Sequence, residues 1–152
     1  MAEVERMLFT VGVFKDVASA ELGIDALKQQ GFTADDMSVL AKDTPEAVAL
    51  VQRVLGGDLS RIQLPKIGPA VARGGLLDAL QGGQGDLARL GVAGAMRRVG
   101  FQPHDGLIYE TLTERGGICV AVGGAPRVAD ALQVMFSYGG GNAAIGAWGD
   151  RV

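Results

Sequence analysis

Leu8-Phe9-Thr10-Val11-Gly12-Val13-Phe14, the segment from Asp16 to Gln30, and Met37-Ser38-Val39-Leu40-Ala41 decide the fold. The first stretch alternates Phe9, Val11 and Val13 with Thr10, Gly12 and Phe14, the period of two that a strand requires. Asp16 stands where an N-cap belongs, since its short side chain can satisfy an orphan helical N–H. Behind it Val17, Ala20, Ile24 and Leu27 share one helical stripe, and Gly31 is a natural stop. Thr33-Ala34-Asp35-Asp36 has the composition of a capping turn, and Met37–Ala41 reads as a second strand. Together they form a β-α-β unit.

The same order returns towards the C-terminus. Ile118-Cys119-Val120-Ala121-Val122 reads as a strand, and Arg127 to about Phe136 as a helix with Val128, Ala131, Leu132 and Met135 inward. Gly139-Gly140-Gly141 is a turn, and Ala143 to Trp148 a last short strand. Thr10–Val13 lies over Cys119–Val122, and Ala26-Leu27 near Ala131-Leu132, a repeat in order rather than in identity. Two such units in one sheet predict an α+β, ferredoxin-like sandwich: an antiparallel sheet with two helices on one face. The 152 residues suit one domain. Within it, 1–43 form the first unit, 44–100 a glycine-rich helical insertion, and 101–152 a helix plus the second unit.

In the insertion, Thr44-Pro45-Glu46 opens a helix to about Leu55, with Thr44 as N-cap and Pro45 at the first helical position. Leu59 to Ile67 reads as loop. Gly68–Leu80 and Asp86–Val99 read as two helices joined by Gln81-Gly82-Gly83-Gln84-Gly85, and Pro103–Arg115 as another. Small residues recur four apart at Ala70/Gly74, Gly75/Ala79/Gly83 and Gly91/Ala95, which predicts helix faces that another backbone can approach closely. The chain holds 24 glycines, and so many must serve turns or such approaches.

If Phe9, Val11, Val13, Ile118, Val120 and Val122 face the helices, the other sheet face presents Thr10, Gly12, Phe14, Cys119, Ala121, Gly146 and Trp148. That face is small and nearly uncharged, whereas a solvated face alternates with polar residues. The insertion or another subunit must cover it. Self-association therefore points to Thr10, Gly12, Cys119 and Ala121 on the sheet, with Gly74, Gly75, Ala79, Gly91 and Ala95 on the small-residue helices.

The net charge of −3 argues against general affinity for nucleic acid. From Gly56 to Gly100, however, six basic residues face three acidic ones, leaving −6 on the remainder, so this segment could dock on its own body or on another copy. No run of 18 apolar residues offers a membrane span, and the acidic N-terminus is no secretory signal. The single cysteine, Cys119, excludes an internal disulfide framework and fits a reducing, cytoplasmic setting.

Catalytic residues do not emerge, and neither a cofactor nor a metal is expected. His104 is the only histidine, and a Cys–His dyad requires it to meet Cys119 in space. Gly123, Gly124 and Arg127 lie between a strand and a helix start and could hold an anion. Asp35 and Asp36 fit turn and cap roles, Glu110 and Glu114 a solvated helix face, and Arg89 with Arg97-Arg98 a small basic patch.

Three stretches carry a family likeness. Val11-Gly12-Val13-Phe14, its following helix and Gly31-Phe32 before Met37–Leu40 form the first. Gly68-Pro69, Gly74-Gly75-Leu76-Leu77 and Leu90-Gly91 form the second, and Tyr109-Glu110 with Gly116-Gly117 running into Ile118–Val122 the third. In these the chain resembles the YflT-like heat-induced or general stress proteins of bacteria. Arg73, Asp78, Asp86 and Arg89 depart from the more apolar central hairpin of that family and argue against a membrane-associated role. The resemblance implies a stress-linked, non-enzymatic protein and transfers no catalytic residue. The expected function is a structural or interaction protein that self-assembles as a homo-oligomer or filament; the alternative is a small-ligand or anion-sensing module.

Overall fold

The computed structural model describes residues 9–123 and 127–140. Strand β1 (Thr10–Phe14) leads into helix α1 (Val17–Gln29), a 3-10 turn (Ala34–Asp36) and β2 (Met37–Lys42). Helix α2 (Pro45–Val54) is followed by β3 (Ser60–Leu64) and β4 (Gly68–Arg73). Three helices then succeed one another: α3 (Gly75–Gln81), α4 (Asp86–Arg98, after a 3-10 turn at Gly82–Gln84) and α5 (Pro103–Glu114). They lead to β5 (Ile118–Val122) and α6 (Val128–Ser137). The five strands form one antiparallel sheet in the order β1-β5-β2-β4-β3. β5 lies between β1 and β2, so β1-α1-β2 is a split β-α-β unit.

The caps form as the residues dictate. Asp16 Oδ1 accepts from the Ser19 amide at 2.8 Å, and that bond holds its carboxyl below the usual range. Thr44 Oγ1 accepts from the Ala47 amide at 3.1 Å, with Pro45 opening α2. Asp36 takes the amide and hydroxyl of Thr33, the capping turn expected there.

Both faces of the sheet are buried. One packs Phe14, Val39, Ala41, Val71, Ile118, Val120 and Val122 against α1, α2 and α6. The other packs Val11, Val13, Leu40, Ala70, Ala72, Cys119 and Ala121 against α3, α4 and α5. This corrects the expected division of faces. In the antiparallel register Val11 stands opposite Ala121 and Val13 opposite Cys119, so each pair shares a face. Phe14, opposite Ile118, lies on the other. The small uncharged face is covered by the chain's own helices.

Two assignments within the insertion are also corrected. Ser60–Leu64 is a strand, not a loop: Ile62 and Leu64 point to the core, while Ser60, Arg61 and Gln63 are exposed. Gly68–Arg73 is a strand, not the start of a helix. Ala70 and Ala72 face one layer and Val71 the other, so burial on both sides erases the alternation that marks a strand. Pro69 stands near the strand's beginning, where a missing N–H is tolerated. The expected strand from Ala143 to Trp148, with Gly141, Gly146 and Trp148, lies outside the described residues.

Helix α4 is broken at Gly91, whose φ of 80° and ψ of 174° are not helical. Asp86 and Arg98 lie twelve residues apart, roughly 18 Å along a straight helix. Yet Arg98 Nε is 2.5 Å from Asp86 Oδ2. The break therefore folds α4 back, and the ion pair ties its two ends together. Arg98 also donates to the carbonyls of Ala79 and Leu80, at 2.5 and 3.1 Å, joining α3 to the same knot.

Gly74, with φ 118° and ψ 173°, turns the chain from β4 into α3. A Cβ there would lie 2.4 Å from Ser38 Oγ and 2.6 Å from the Met37 carbonyl oxygen. Gly74→Ala is expected to destabilise the protein by about 3 kcal/mol, from backbone strain and overpacking together. Gly56→Ala, where φ is 70° and nothing lies within 4 Å, should cost about 1 kcal/mol. Urea unfolding of both variants checks the difference; equal costs would mean that the Gly74–Ser38 contact can relax.

Candidate functional site

Cys119 lies beneath α3 and α4, among Leu40, Leu76, Leu77, Leu80, Met96 and Ala121. Burial pushes its thiol up to about 12, the reverse of what a nucleophile needs. His104 stands exposed in the first turn of α5, so the two do not form a dyad. Ala121 is buried in the same layer as Cys119. Gly12 is buried on the opposite side, where a Cβ would meet the Gly140 carbonyl oxygen at 2.9 Å and Met135 Sδ at 3.3 Å. Thr10 is half-buried. Of the sheet residues expected to meet another copy, Gly12, Cys119 and Ala121 are thus packed within the chain.

The small-residue helices are corrected likewise. Ala70 lies in β4 and Gly74 in the turn after it, so they share no helix face. Gly75 and Ala79 lie on α3, with Gly75 exposed and Ala79 half-buried. Gly91 and Ala95 are buried in α4. The close helix approach that does occur is between α4 and α5, where a Cβ on Gly106 would be 3.3 Å from both Cα and O of Ala93.

The anion reading meets an arginine already engaged. Arg127 donates to the Gln30 carbonyl at 2.6 Å and pairs with Asp130 at 3.3 Å. Its guanidinium also stands 4.6 Å from the Phe32 ring centroid. The Gly123 amide donates to the Asp36 carbonyl at 2.7 Å. Arg127 thus fastens the start of α6 to the end of α1; Gly124 lies outside the described residues.

Much of the basic segment's charge is engaged within the chain, mostly inside the segment itself. Asp86, nearly enclosed, takes Arg89 and Arg98; Arg61 reaches Asp43 at 3.2 Å; Arg73 donates to the Asp58 carbonyl at 2.8 Å. Glu110 departs furthest from expectation. It is buried rather than solvated, and its Oε2 accepts from the Ala93 amide at 3.3 Å, capping the half of α4 that restarts after Gly91. Lys66 Nζ lies 3.9 Å from Glu110 Oε1. Lys66 itself has φ 73°, with the Ile67 amide donating to the Pro65 carbonyl at 2.8 Å, a tight γ-turn joining β3 to β4. The helix break that creates the cap is not written in the periodicity of 86–98, so the sequence signal for a buried Glu110 was missing.

An open cleft of about 360 Å³ lies at the end of the sheet, lined in part by Asp35, Asp58, Ser60, Arg73, Asp78 and Gln81. Among the described residues no three His, Cys, Asp or Glu side chains group as metal ligands. No helix among them is long and apolar enough to cross a membrane.

What remains is an edge. β3 ends the sheet, pairing with β4 alone among the described strands, and Ser60, Arg61 and Gln63 are exposed along it. Comparison with protein-family models, curated proteins and solved structures finds no match to this chain. The likeness to YflT-like stress proteins rests on the sequence motifs alone.

Native Cys119 should resist thiol reagents at pH 8 and react on unfolding in urea; rapid labelling of the folded protein would show an accessible thiolate. Glu110→Ala should cost about 2 kcal/mol through the lost cap and its unsatisfied amide, and Glu110→Gln less than half of that. Equal losses in chemical denaturation would assign the effect to the charge facing Lys66 instead.

Proposed function

We propose that this chain is a non-catalytic interaction protein that associates with copies of itself. The observation that carries the reading is the exposed edge strand β3 on a sheet whose two faces are already covered. A row of unpaired strand amides and carbonyls is a template for another strand. Several side chains of the types that chemistry uses have structural duties: Asp86 on two arginines, Glu110 on an amide, Arg73 and Arg127 on carbonyls, Cys119 in the core.

The architecture reads as a ferredoxin-like core whose second strand is extended by the β3–β4 hairpin and whose other face is capped by α3–α5. The split unit of β1, α1 and β2 around β5 supports that reading. A cytoplasmic, stress-associated role is the setting suggested by the resemblance to YflT-like proteins, and a lone buried cysteine accords with a reducing compartment.

Light scattering across a concentration series tests the reading. A defined mass above 15.7 kDa supports it. A monomer at all concentrations and salt levels sinks it.

A further inference from the structure

We infer that two copies of the chain pair antiparallel through β3, about a two-fold axis at Ile62, with Arg61 of each copy opposite Gln63 of the other. This rests on the self-association reading and gives it a site and a register.

The backbone directions fix which groups are available. The Asp43 amide donates to the Pro69 carbonyl at 3.0 Å, so the carbonyl of Pro69 points towards β2. In a strand the N–H and C=O of one residue point to the same side, and the next residue points to the other. Ala70 therefore turns its groups towards β3, where it stands opposite Ile62. Ile62 exchanges bonds with Ala70, and by alternation Ser60 and Leu64 also face β4. Arg61 and Gln63, opposite Val71 and Pro69, turn their N–H and C=O outwards.

Only one symmetric register suits these groups. Arg61 opposite the partner's Gln63 gives two bonded pairs, or four backbone hydrogen bonds. It places the two copies of Ile62 opposite each other as the close, non-bonded pair between them. Ile62 is half-buried and leans on the cap-side core, so the pairing brings apolar side chains together across the axis. A register shifted one way sets Arg61 against Arg61, a like-charge pair directly opposed. Shifted the other way, Arg61 meets Pro65, which has no N–H to give.

The test uses the full chain and three variants. Gln63→Pro removes an outward N–H while leaving the bonds to β4 in place. In light scattering it should reduce a dimeric wild type to 15.7 kDa with its circular dichroism unchanged. Ile62→Cys should form a covalent dimer under mild oxidation, because residues opposed in a close pair come within disulfide reach. Ser60→Cys, opposite Leu64 of the partner, should cross-link at least tenfold more slowly; the native Cys119 is buried and does not compete. A wild-type oligomer that survives Gln63→Pro, or equal cross-linking at 60 and 62, overturns the edge contact and leaves self-association standing. A monomeric wild type overturns both.

Discussion

The placement of Ile118–Val122 between β1 and β2 is the constraint on which the rest of the structure depends. All five residues of β5 are buried, and each side of the strand faces a different layer. Ile118, Val120 and Val122 meet α1, α2 and α6; Cys119 and Ala121 meet α3, α4 and α5. The large side chains lie on the first side and the small ones on the second, so the helices of the cap can approach the sheet closely there. Central strands buried on both faces need covering layers on both. The insertion is therefore part of the core: without it Cys119, Ala121, Val11 and Leu40 would face water.

The cap is held less by regular helix than by its irregular points. Gly91 breaks α4, which frees amides at the restart and brings Asp86 back to Arg98. A buried carboxylate is costly unless it is paired and hydrogen-bonded, and each of the two here meets that condition in a different way. Asp86 is neutralised by arginines that keep part of their surface in water; Glu110 lies over a helix start and near Lys66. Both depend on the break at Gly91. A straight helix would part Asp86 from Arg98 and leave Glu110 without the Ala93 amide. Backbone conformation and ion pairing are thus one device.

The β-α-β unit and the helix that follows it were legible because their signals are local. Asp16 caps α1, Thr44 and Pro45 open α2, and Ile24 with Leu27 mark the buried stripe, all within one or two turns of chain. Most of the differences lie where the deciding partner is distant in sequence. Gly68–Arg73 became a strand because β2 and β3 pair with it, and its small residues carry no period of their own. Ser60–Leu64 did carry one, with Ile62 and Leu64 inward, and its alternation was there to be read. The division of sheet faces went astray because it required the register of β1 on β5, which no local pattern contains. The buried state of Glu110 required two such distant facts, the break at Gly91 and the packing of α5 on α4.

An open strand edge is a hazard, since it can nucleate pairing without end. β3 limits that hazard by its length and its boundaries. The γ-turn at Lys66 reverses the chain immediately after Leu64, so only five residues pair with β4. Two of the five, Arg61 and Gln63, turn their backbone outwards, and Pro65 closes the row. An isologous contact through so short an edge would consume the β3 edge on both copies. A longer, flatter strand would admit several registers and, with them, open-ended stacking. Its shortness, its polar residues and the proline that follows it limit the registers open to any added strand.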